Sequence, residues 1–356
     1  MGDPGDPADL LERFCSRWGV GVPRGEREDH GGAGFCGVAV LVSAAAGALM
    51  VSGEPGRASP APAVPDVVAI AYEHGRAEPP PVTRSGFRLH GWVPSWRPSD
   101  HAAAVARVCA AIGEGDVYQV NIVGHHRSGY TGDPRGAVAA VAGLADGGDY
   151  AGVLSGDGWA VVSGSPECFI EVESGRIQTR PIKGTRPATA AGAEELTASV
   201  KERAEHVMIV DLERNDLARI AVPGTVSVTD FFALRHWCGL WQAESTVSAR
   251  IDDGVGLAGL LRAVCPPGSV TGAPKLAALE QIALLEPVGR GPAMGAMGYV
   301  SAGRLVLGLT IRTVAVEPDA VHVWAGGGIT WRSDPLDEVA EAAAKADPVK
   351  RAIERS

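Results

Sequence analysis

The sequence has little that would suit a disulfide-stapled or zinc-bound protein. Its six cysteines are far apart and contain no C-x-x-C pair. They are Cys15, Cys36, Cys109, Cys168, Cys238 and Cys265. A zinc knuckle or a disulfide framework is therefore not expected, and reduced thiols in a cytosol are the simplest interpretation. No secretory signal pattern stands at the N-terminus, which agrees with a cytoplasmic protein.

Positive charge is also scarce. Lysine and arginine number 32 against 42 acidic residues, which gives a formal net charge of −10. This balance argues against nucleic acid and against an anionic membrane surface as partners. An anionic substrate would have to be held by a local group of cations or by a bound metal.

Long apolar runs and nucleotide-binding signals are missing too. The longest uncharged apolar stretch, residues 35–51, is rich in Ala and Gly and shorter than the roughly 20 residues of a membrane span. We predict instead two buried strands around its Ala-Gly turn. The segment "GSVTGAPK" (268–275) lacks the spacing of a phosphate-cradling P-loop.

The order of the predicted elements favours an α+β fold. Strands occur in runs and helices come between the runs, which indicates antiparallel sheets and not alternating βαβ units. The predicted helices cover residues 10–18, 99–112, 193–221 (as one helix or two), 273–285 and a stretch that begins at Pro335. The predicted strands cover residues 159–165, 169–174, 176–182, 293–302, 305–317 and 320–331. Pro/Gly-rich stretches at 53–65 and 77–86 predict loops.

Two predicted helices carry glutamates three residues apart. Glu202 and Glu205 form one pair, and Glu338 and Glu341 form the other. Residues at i and i+3 share a helix face, so each pair can direct two carboxylates the same way. Two such faces brought together would bind a hard divalent cation such as Mg²⁺. From spacing alone, two solvated helix faces are the simpler interpretation.

Four further positions carry basic residues or glycines in unusual settings. Lys183 lies just past a predicted strand end, in the proline-flanked segment "RPIKGTRP" (180–187), although an exposed loop lysine would also fit. Arg312 interrupts the apolar predicted strand "LVLGLTIRTVAVE" and must be paired if it is buried. Lys345 follows Glu341 by four residues, which also suits a plain surface ion pair. The segment "AGGGIT" (325–330) is either an anion-binding backbone or a glycine-rich turn.

From about residue 97 to the C-terminus, the chain resembles the chorismate-utilising enzymes. The matching segments include "GDVYQVN", "SGSPECF", "RPIKGTRP", "SVKERAEHVMIVDLERNDLARI", "PPGSVTGAPKLAALEQI", "GAMGYV", "IRT", "AGGGIT" and "SDPLDEVAEAAAKA", in the order of the family. The resemblance implies two large, mostly antiparallel sheets packed face to face with helices outside. It also implies a catalytic domain at 96–356 and a shortened, divergent N-terminal region at 1–95 that adds strands to the same fold.

The resemblance assigns roles to the paired glutamates and to several other residues. It implies that Glu202, Glu205, Glu338 and Glu341 surround a Mg²⁺ that holds a carboxylate of chorismate. The residues implied to bind the substrate are Gln119, Thr185, Tyr299, Arg312, Gly326, Gly327, Gly328 and Lys345. Chorismate is a dianion, so an acidic protein must supply such local cations to bind it.

Two positions bear on the reaction within the family. Gln119 stands where hydroxylating members carry a lysine base for water, which argues for amination. The segment "PIKGT", which contains Lys183, resembles that of the aminodeoxychorismate synthases, component I. The resemblance implies that Lys183 attacks C2 of chorismate and that Glu167 acts as general acid. Gln242 stands at a position where members of the family often carry a histidine. Anthranilate or isochorismate/salicylate-type synthesis, and a non-catalytic partner subunit, stay as alternatives.

The sequence contains no G-x-C-x-G glutaminase nucleophile motif. Ammonia is therefore expected from a separate glutamine amidotransferase subunit or from solution. The expected product, 4-amino-4-deoxychorismate, would feed p-aminobenzoate for folate or for a specialised metabolite.

Overall fold

The computed structural model of the chain describes residues 5–25, 34–75, 86–144, 150–237 and 239–355. The helices in these ranges are α1 (Pro7–Arg17), α2 (Ala44–Leu49), α3 (Pro98–Glu114), α4 (Arg135–Leu144), α5 (Ala190–Ala198), α6 (Val200–Ala218), α7 (Leu257–Val264), α8 (Lys275–Leu285) and α9 (Pro335–Glu354), with a short 3-10 helix at Gly268–Val270. Among the described residues, no helix combines the length and apolar character needed to cross a membrane. The five cysteines described there are free thiols.

The strands of the same ranges form two sheets. They are β1 (Phe35–Val42), β2 (Val67–Glu73), β3 (Arg88–Leu89), β4 (Val93–Pro94), β5 (Gln119–Thr131), β6 (Gly152–Gly156), β7 (Trp159–Ser163), β8 (Cys168–Glu173), β9 (Arg176–Arg180), β10 (Ile182–Pro187), β11 (Ser227–Trp237), β12 (Leu240–Arg250), β13 (Gly272–Ala273), β14 (Ala296–Val300), β15 (Arg304–Leu309), β16 (Thr313–Val316) and β17 (Ala320–Ile329).

Each sheet is antiparallel in every pairing between described strands. The larger sheet has the order β10-β12-β9-β8-β15-β14-β1-β2, with β11 paired to β12. The smaller sheet has the order β13-β5-β17-β16-β7-β6, with β3 and β4 paired to β5.

The two sheets share one apolar core. Ile170 and Leu307 of the larger sheet belong to the same buried cluster as Val123, Val161 and Ala315 of the smaller sheet. Strands with one face buried in this way stabilise each other mainly by removing apolar surface from water. The predicted α+β class, with two antiparallel sheets and flanking helices, is confirmed.

Helices cover the outer face of the smaller sheet. Val141 of α4 and Ala346 and Val349 of α9 pack with Val323 of β17 in a second apolar cluster. This packing holds α9 against β17. The first turns of α9, which carry its two glutamates, therefore lie beside the C-terminal end of that strand.

The chain crosses from one sheet to the other within the predicted strand 305–317, so the prediction of one continuous strand is wrong. β15 ends at Leu309 in the larger sheet and β16 begins at Thr313 in the smaller one. Arg312 between them has a left-handed φ of 50°, which a strand cannot continue through. The Gly164 N–H donates to the Arg312 carbonyl at 3.2 Å and holds this crossing.

The prediction of two strands within residues 35–51 is wrong in its second half. β1 is followed by the helix α2, because Ser43 caps a run of alanines. The Ser43 hydroxyl accepts a hydrogen bond from the Ala46 N–H at 3.0 Å, and alanine is the best helix former. The loop predicted at 53–65 carries no helix or strand, whereas 77–85 lie outside the described residues.

Candidate active site

A cavity of about 430 Å³ opens where β10, β17, α6 and α9 meet. It collects most of the site residues predicted from the sequence. Those that line it are Glu167, Lys183, Thr185, Glu202, Glu205, Arg312, Gly326, Gly328, Glu338, Glu341 and Lys345. These residues come from distant parts of the chain, so their convergence is a property of the fold.

Gln119 and Gly327 lie against the same cavity. Gln119 is buried at the start of β5, and a Cβ atom on Gly328 would collide with its Nε2. A Cβ on Gly327 would lie 3.0 Å from Oε2 of Glu338. The three glycines are part of β17 and not of a turn, and two of them let neighbouring side chains approach the strand backbone closely.

The structure does not bring Tyr299 to the cavity, so its predicted contact with the substrate is not supported. Tyr299 lies on β14, is 41% exposed, and is absent from the cavity lining. Met294, which does line the cavity, lies five residues earlier, before β14 begins. The motif "GAMGYV" therefore does not place its tyrosine in the site.

Lys183 lies inside β10 and not just past a strand end as predicted. The pairing of β10 with β12 shifts register between Lys183 and Thr185, and Gly184 between them has a φ of 77°. A bulge of this kind bends the strand and redirects a side chain. The Lys183 ammonium accordingly reaches into the cavity, where Nζ lies 3.4 Å from the Ser269 carbonyl oxygen.

Glu167 precedes β8 and is almost fully buried, with 6% of its surface exposed. Burial raises the pKa of Glu167 to about 7, against the opposing charge of Lys183 and hydrogen bonds from the Ser269 side chain and the Ile182 backbone. A carboxyl with a pKa in this range holds and releases a proton near neutral pH. Glu167 is therefore suited to general acid–base chemistry beside the Lys183 amine.

The burial of Glu167 should also make the protein less stable as pH rises. The folded chain retains this proton through the window between the ordinary carboxyl pKa and about 7, whereas the unfolded chain releases it. Stability is then lost between about pH 4.5 and 7. We expect Glu167→Gln to raise the free energy of unfolding by ~1–3 kcal/mol at pH 8, with little change at pH 4.5.

Urea unfolding of the metal-free chain at both pH values measures this effect. Glu280→Gln, at an exposed position of α8, is the matched control and should change stability at neither pH. Equal effects of Glu167→Gln at pH 4.5 and at pH 8 would contradict the prediction.

The paired glutamates face the cavity from two helices. The Ser199 hydroxyl accepts from the Glu202 N–H at 3.2 Å and starts α6, which separates it from α5. The 193–221 segment is thus two helices. On the other side, Asp334 caps α9, with Pro335 in its first turn as predicted.

Each of the four carboxylates has a nearby partner. Glu202 lies 3.6 Å from Arg186, Glu205 lies 3.9 Å from Lys201, and Glu341 lies 2.7 Å from Lys345. Glu338 accepts a hydrogen bond from the Ser333 hydroxyl at 2.6 Å. The Glu341–Lys345 pair is the helical i,i+4 pair anticipated as the simple alternative, yet both residues line the cavity.

The environment of these carboxylates shifts their pKa values in different directions. Burial raises the pKa of Glu205 and of Glu338. Burial also acts to raise the pKa of Glu341, but the charges of Lys345 and Lys201 hold it below its usual range. The two helices therefore present a partly buried group of carboxylates whose mutual repulsion is offset by local cations.

The donor set of this group fits Mg²⁺, which takes carboxylate oxygens and usually keeps some waters. Among the described residues, no three His, Cys, Asp or Glu side chains already converge in a metal-binding arrangement. Glutamate side chains rotate readily, and their present partners are single side chains. Binding of a cation would require the carboxylates to exchange these partners for the metal.

Basic groups line the cavity despite the acidic composition of the chain. They are Lys183, Arg186, Lys201, Arg312 and Lys345. The Lys345 ammonium also donates to the Gly326 carbonyl at 3.1 Å. The left-handed backbone of Arg312 is strained for a residue with a side chain, and such strain is concentrated at functional sites. The cavity thus offers several cations that can hold an anionic ligand, alongside an equal number of glutamates.

No sequence pattern predicts the roles of two residues, one in the cavity lining and one behind it. Ser269 was part of a matched motif without a role, and it contacts both Glu167 and Lys183. Behind it, Arg290 donates to the carbonyls of Asn121 and Val270 at 2.6 and 2.7 Å and pairs with Glu286. These roles depend on backbone carbonyls brought together by folding, which no residue pattern announces.

Comparison with known proteins places this geometry in context. A family described as chorismate binding enzyme matches residues 45–351. The chain is 38% identical over 280 residues to aminodeoxychorismate synthase component 1 of Salmonella typhimurium, covering 76% of this chain and 62% of that protein. It is 35% identical over 326 residues to anthranilate synthase component 1 of Streptomyces coelicolor, covering 86% of this chain and 63% of that protein. The chain thus spans less than two thirds of the length of these curated relatives.

Among solved structures, anthranilate synthase component I from Streptococcus pneumoniae superposes with a TM-score of 0.79 at 24% identity. The match covers 99% of this chain and 87% of that one. This likeness supports the fold.

Proposed function

Because the chain belongs to the chorismate-binding enzyme family, we propose that it is the ammonia-using component of an aminodeoxychorismate synthase. It would convert chorismate and ammonia to 4-amino-4-deoxychorismate, a precursor of p-aminobenzoate. The observation that carries this proposal is the placement of Lys183 and Glu167 in one cavity with the two glutamate pairs. A separate glutamine amidotransferase subunit would supply the ammonia.

Binding follows from the charges of the cavity. Arg312 and Lys345 would take the carboxylates of chorismate, with the backbone of Gly326–Gly328 alongside. Mg²⁺, when held by Glu202, Glu205, Glu338 and Glu341, would neutralise the ring carboxylate. The substrate ring would then lie over Lys183, because the lysine reaches into the cavity from β10.

The chemistry uses Lys183 as nucleophile and Glu167 as proton carrier. The free amine of Lys183 attacks C2, both ring double bonds shift by one position (C1=C2 to C1=C6 and C5=C6 to C4=C5), and the C4–oxygen bond breaks. Glu167 gives its proton to the departing hydroxyl, which leaves as water. Ammonia then adds at C4, both double bonds return to their original positions, and the C2–nitrogen bond breaks to release the lysine amine. The new C4 ammonium returns a proton to Glu167, so both side chains are regenerated.

The rival reactions differ in the atom that attacks the ring. Hydroxylation to isochorismate needs a base for water, and the Gln119 amide is not a base. Anthranilate synthesis needs no lysine nucleophile, so Lys183 supports the 4-amino product. The joint presence of Lys183, Glu167 and the glutamate pairs argues against a non-catalytic partner subunit.

The purified chain tests this assignment directly. With chorismate, Mg²⁺ and ammonium salts at raised pH, we expect 4-amino-4-deoxychorismate, identified by mass and ultraviolet spectrum. Glutamine in place of ammonium should give no product, because the sequence carries no glutaminase nucleophile motif. Anthranilate or isochorismate as the main product would refute the assignment, and glutamine-dependent product would refute the need for a partner.

A further inference from the structure

Lys201 stands between the two glutamate pairs. It is the second residue of α6 and lines the cavity, with Nζ 3.9 Å from Oε1 of Glu205. Its charge also acts on Glu338 and Glu341, which belong to α9 on the opposite side. A single ammonium that reaches carboxylates of both helices lies in the region where a cation bridging those helices would bind.

The other basic partners of the glutamates are anchored more firmly. Arg186 also binds Glu195 at 2.7 Å and donates to the Thr185 carbonyl at 2.9 Å. Lys345 also donates to the Gly326 carbonyl. The Lys201–Glu205 separation is too long for a hydrogen bond, and the Lys201 side chain is 48% exposed. Because Lys201 is half-exposed and makes no hydrogen bond to Glu205, its ammonium can move into solvent at low cost.

We propose that Lys201 is an internal counter-cation of the metal site, which moves out when a divalent cation binds and thereby sets the affinity for that cation. This inference rests on the metal requirement of the proposed function. Without metal, clustered carboxylates repel each other, and an ammonium between them relieves the repulsion. With metal bound, the same ammonium is a like charge a few ångströms from a dication and is driven toward solvent.

Removing the ammonium should therefore strengthen metal binding. A unit charge beside a dication at roughly 6 Å costs on the order of 1 kcal/mol in a water-like medium, before screening by salt. We expect Lys201→Met to lower the dissociation constant for Mg²⁺ by about three- to tenfold. Lys201→Arg keeps the charge and should bind Mg²⁺ about as the wild type does.

Titration calorimetry of the chelator-treated, full-length chain with Mg²⁺, repeated with Mn²⁺ by electron paramagnetic resonance, measures this without any turnover. Lys350→Met is the matched control. Lys350, which is on α9, also lies beside a carboxylate, with Nζ 3.7 Å from Asp347, but it lies outside the cavity. The Lys350→Met substitution removes the same charge and should leave the affinity for Mg²⁺ unchanged. Circular dichroism checks that each variant is folded.

Unchanged or weaker metal binding by Lys201→Met would overturn the counter-cation role. An equal gain in Lys350→Met would overturn it too, since the effect would then come from net charge. Absence of metal binding in the wild type and the variant would refute this inference and the metal requirement together. The product assay with chorismate and ammonium reads the amination separately, so it distinguishes a failure of the proposed function from a failure of this role.

Discussion

Lys183→Ala is expected to abolish formation of 4-amino-4-deoxychorismate while chorismate still binds. The variant loses the amine that would attack C2, but Arg312, Lys345 and the glutamate pairs remain in the cavity. We expect the rate of 4-amino product to fall by about a thousandfold or more, with a smaller change in the affinity for chorismate. Ammonia could then reach C2 directly, so the expected residual activity is slow formation of a 2-amino product or anthranilate.

Intact-mass analysis gives an independent reading of the same step. Wild-type chain incubated with chorismate but without ammonia should accumulate a chorismate-derived adduct on a peptide that contains Lys183. Lys350→Ala, outside the cavity, should form the adduct as the wild type does. If no adduct forms and Lys183→Ala still makes the 4-amino product at near the wild-type rate, the lysine has only an electrostatic or structural role.

Glu205→Gln and Glu341→Gln should each abolish turnover of chorismate, and excess EDTA should do the same to the wild type. Each substitution removes one charged ligand from the oxygen donor set while keeping the side-chain shape. We expect turnover to fall by about a hundredfold or more, with recovery of the EDTA-treated wild type on addition of Mg²⁺. Turnover with chorismate and ammonium, followed by product absorbance, is the measurement.

Glu280→Gln is the control for these variants, because it makes the same chemical change on an exposed face of α8. It should retain wild-type turnover. Full wild-type activity in excess EDTA would show that the glutamate pairs have another purpose, such as balancing the basic groups of the cavity.

The acidic surroundings of Lys183 connect the two predictions. Glu167 and Glu205 lie within electrostatic reach of its ammonium. The proposed nucleophile must be the neutral amine. A divalent cation shared between the glutamate pairs would offset part of the negative charge around Lys183, so it would favour binding of the anionic substrate beside the lysine.

The amino-acid sequence determined the fold class and the local placement of the glutamates. Alternating apolar residues, interrupted by Gly and Pro, predict antiparallel strands. This pattern can be recognised in the sequence because it involves only residues that are neighbours along the chain. The i,i+3 spacing places each glutamate pair on one helix face for the same local reason. Ser199 and Asp334 cap the two helices through contacts with residues only two or three positions away.

The tertiary structure decided which of these local features meet. α6 and α9 are far apart in sequence, and packing of α9 on β17 brings their glutamates to one cavity. The bulge at Gly184 turns Lys183 into that cavity, the sheet crossing at Arg312 breaks an apparently continuous strand, and Tyr299 stays outside. These outcomes depend on sheet register and on core packing between distant segments, which a pattern of neighbouring residues does not contain.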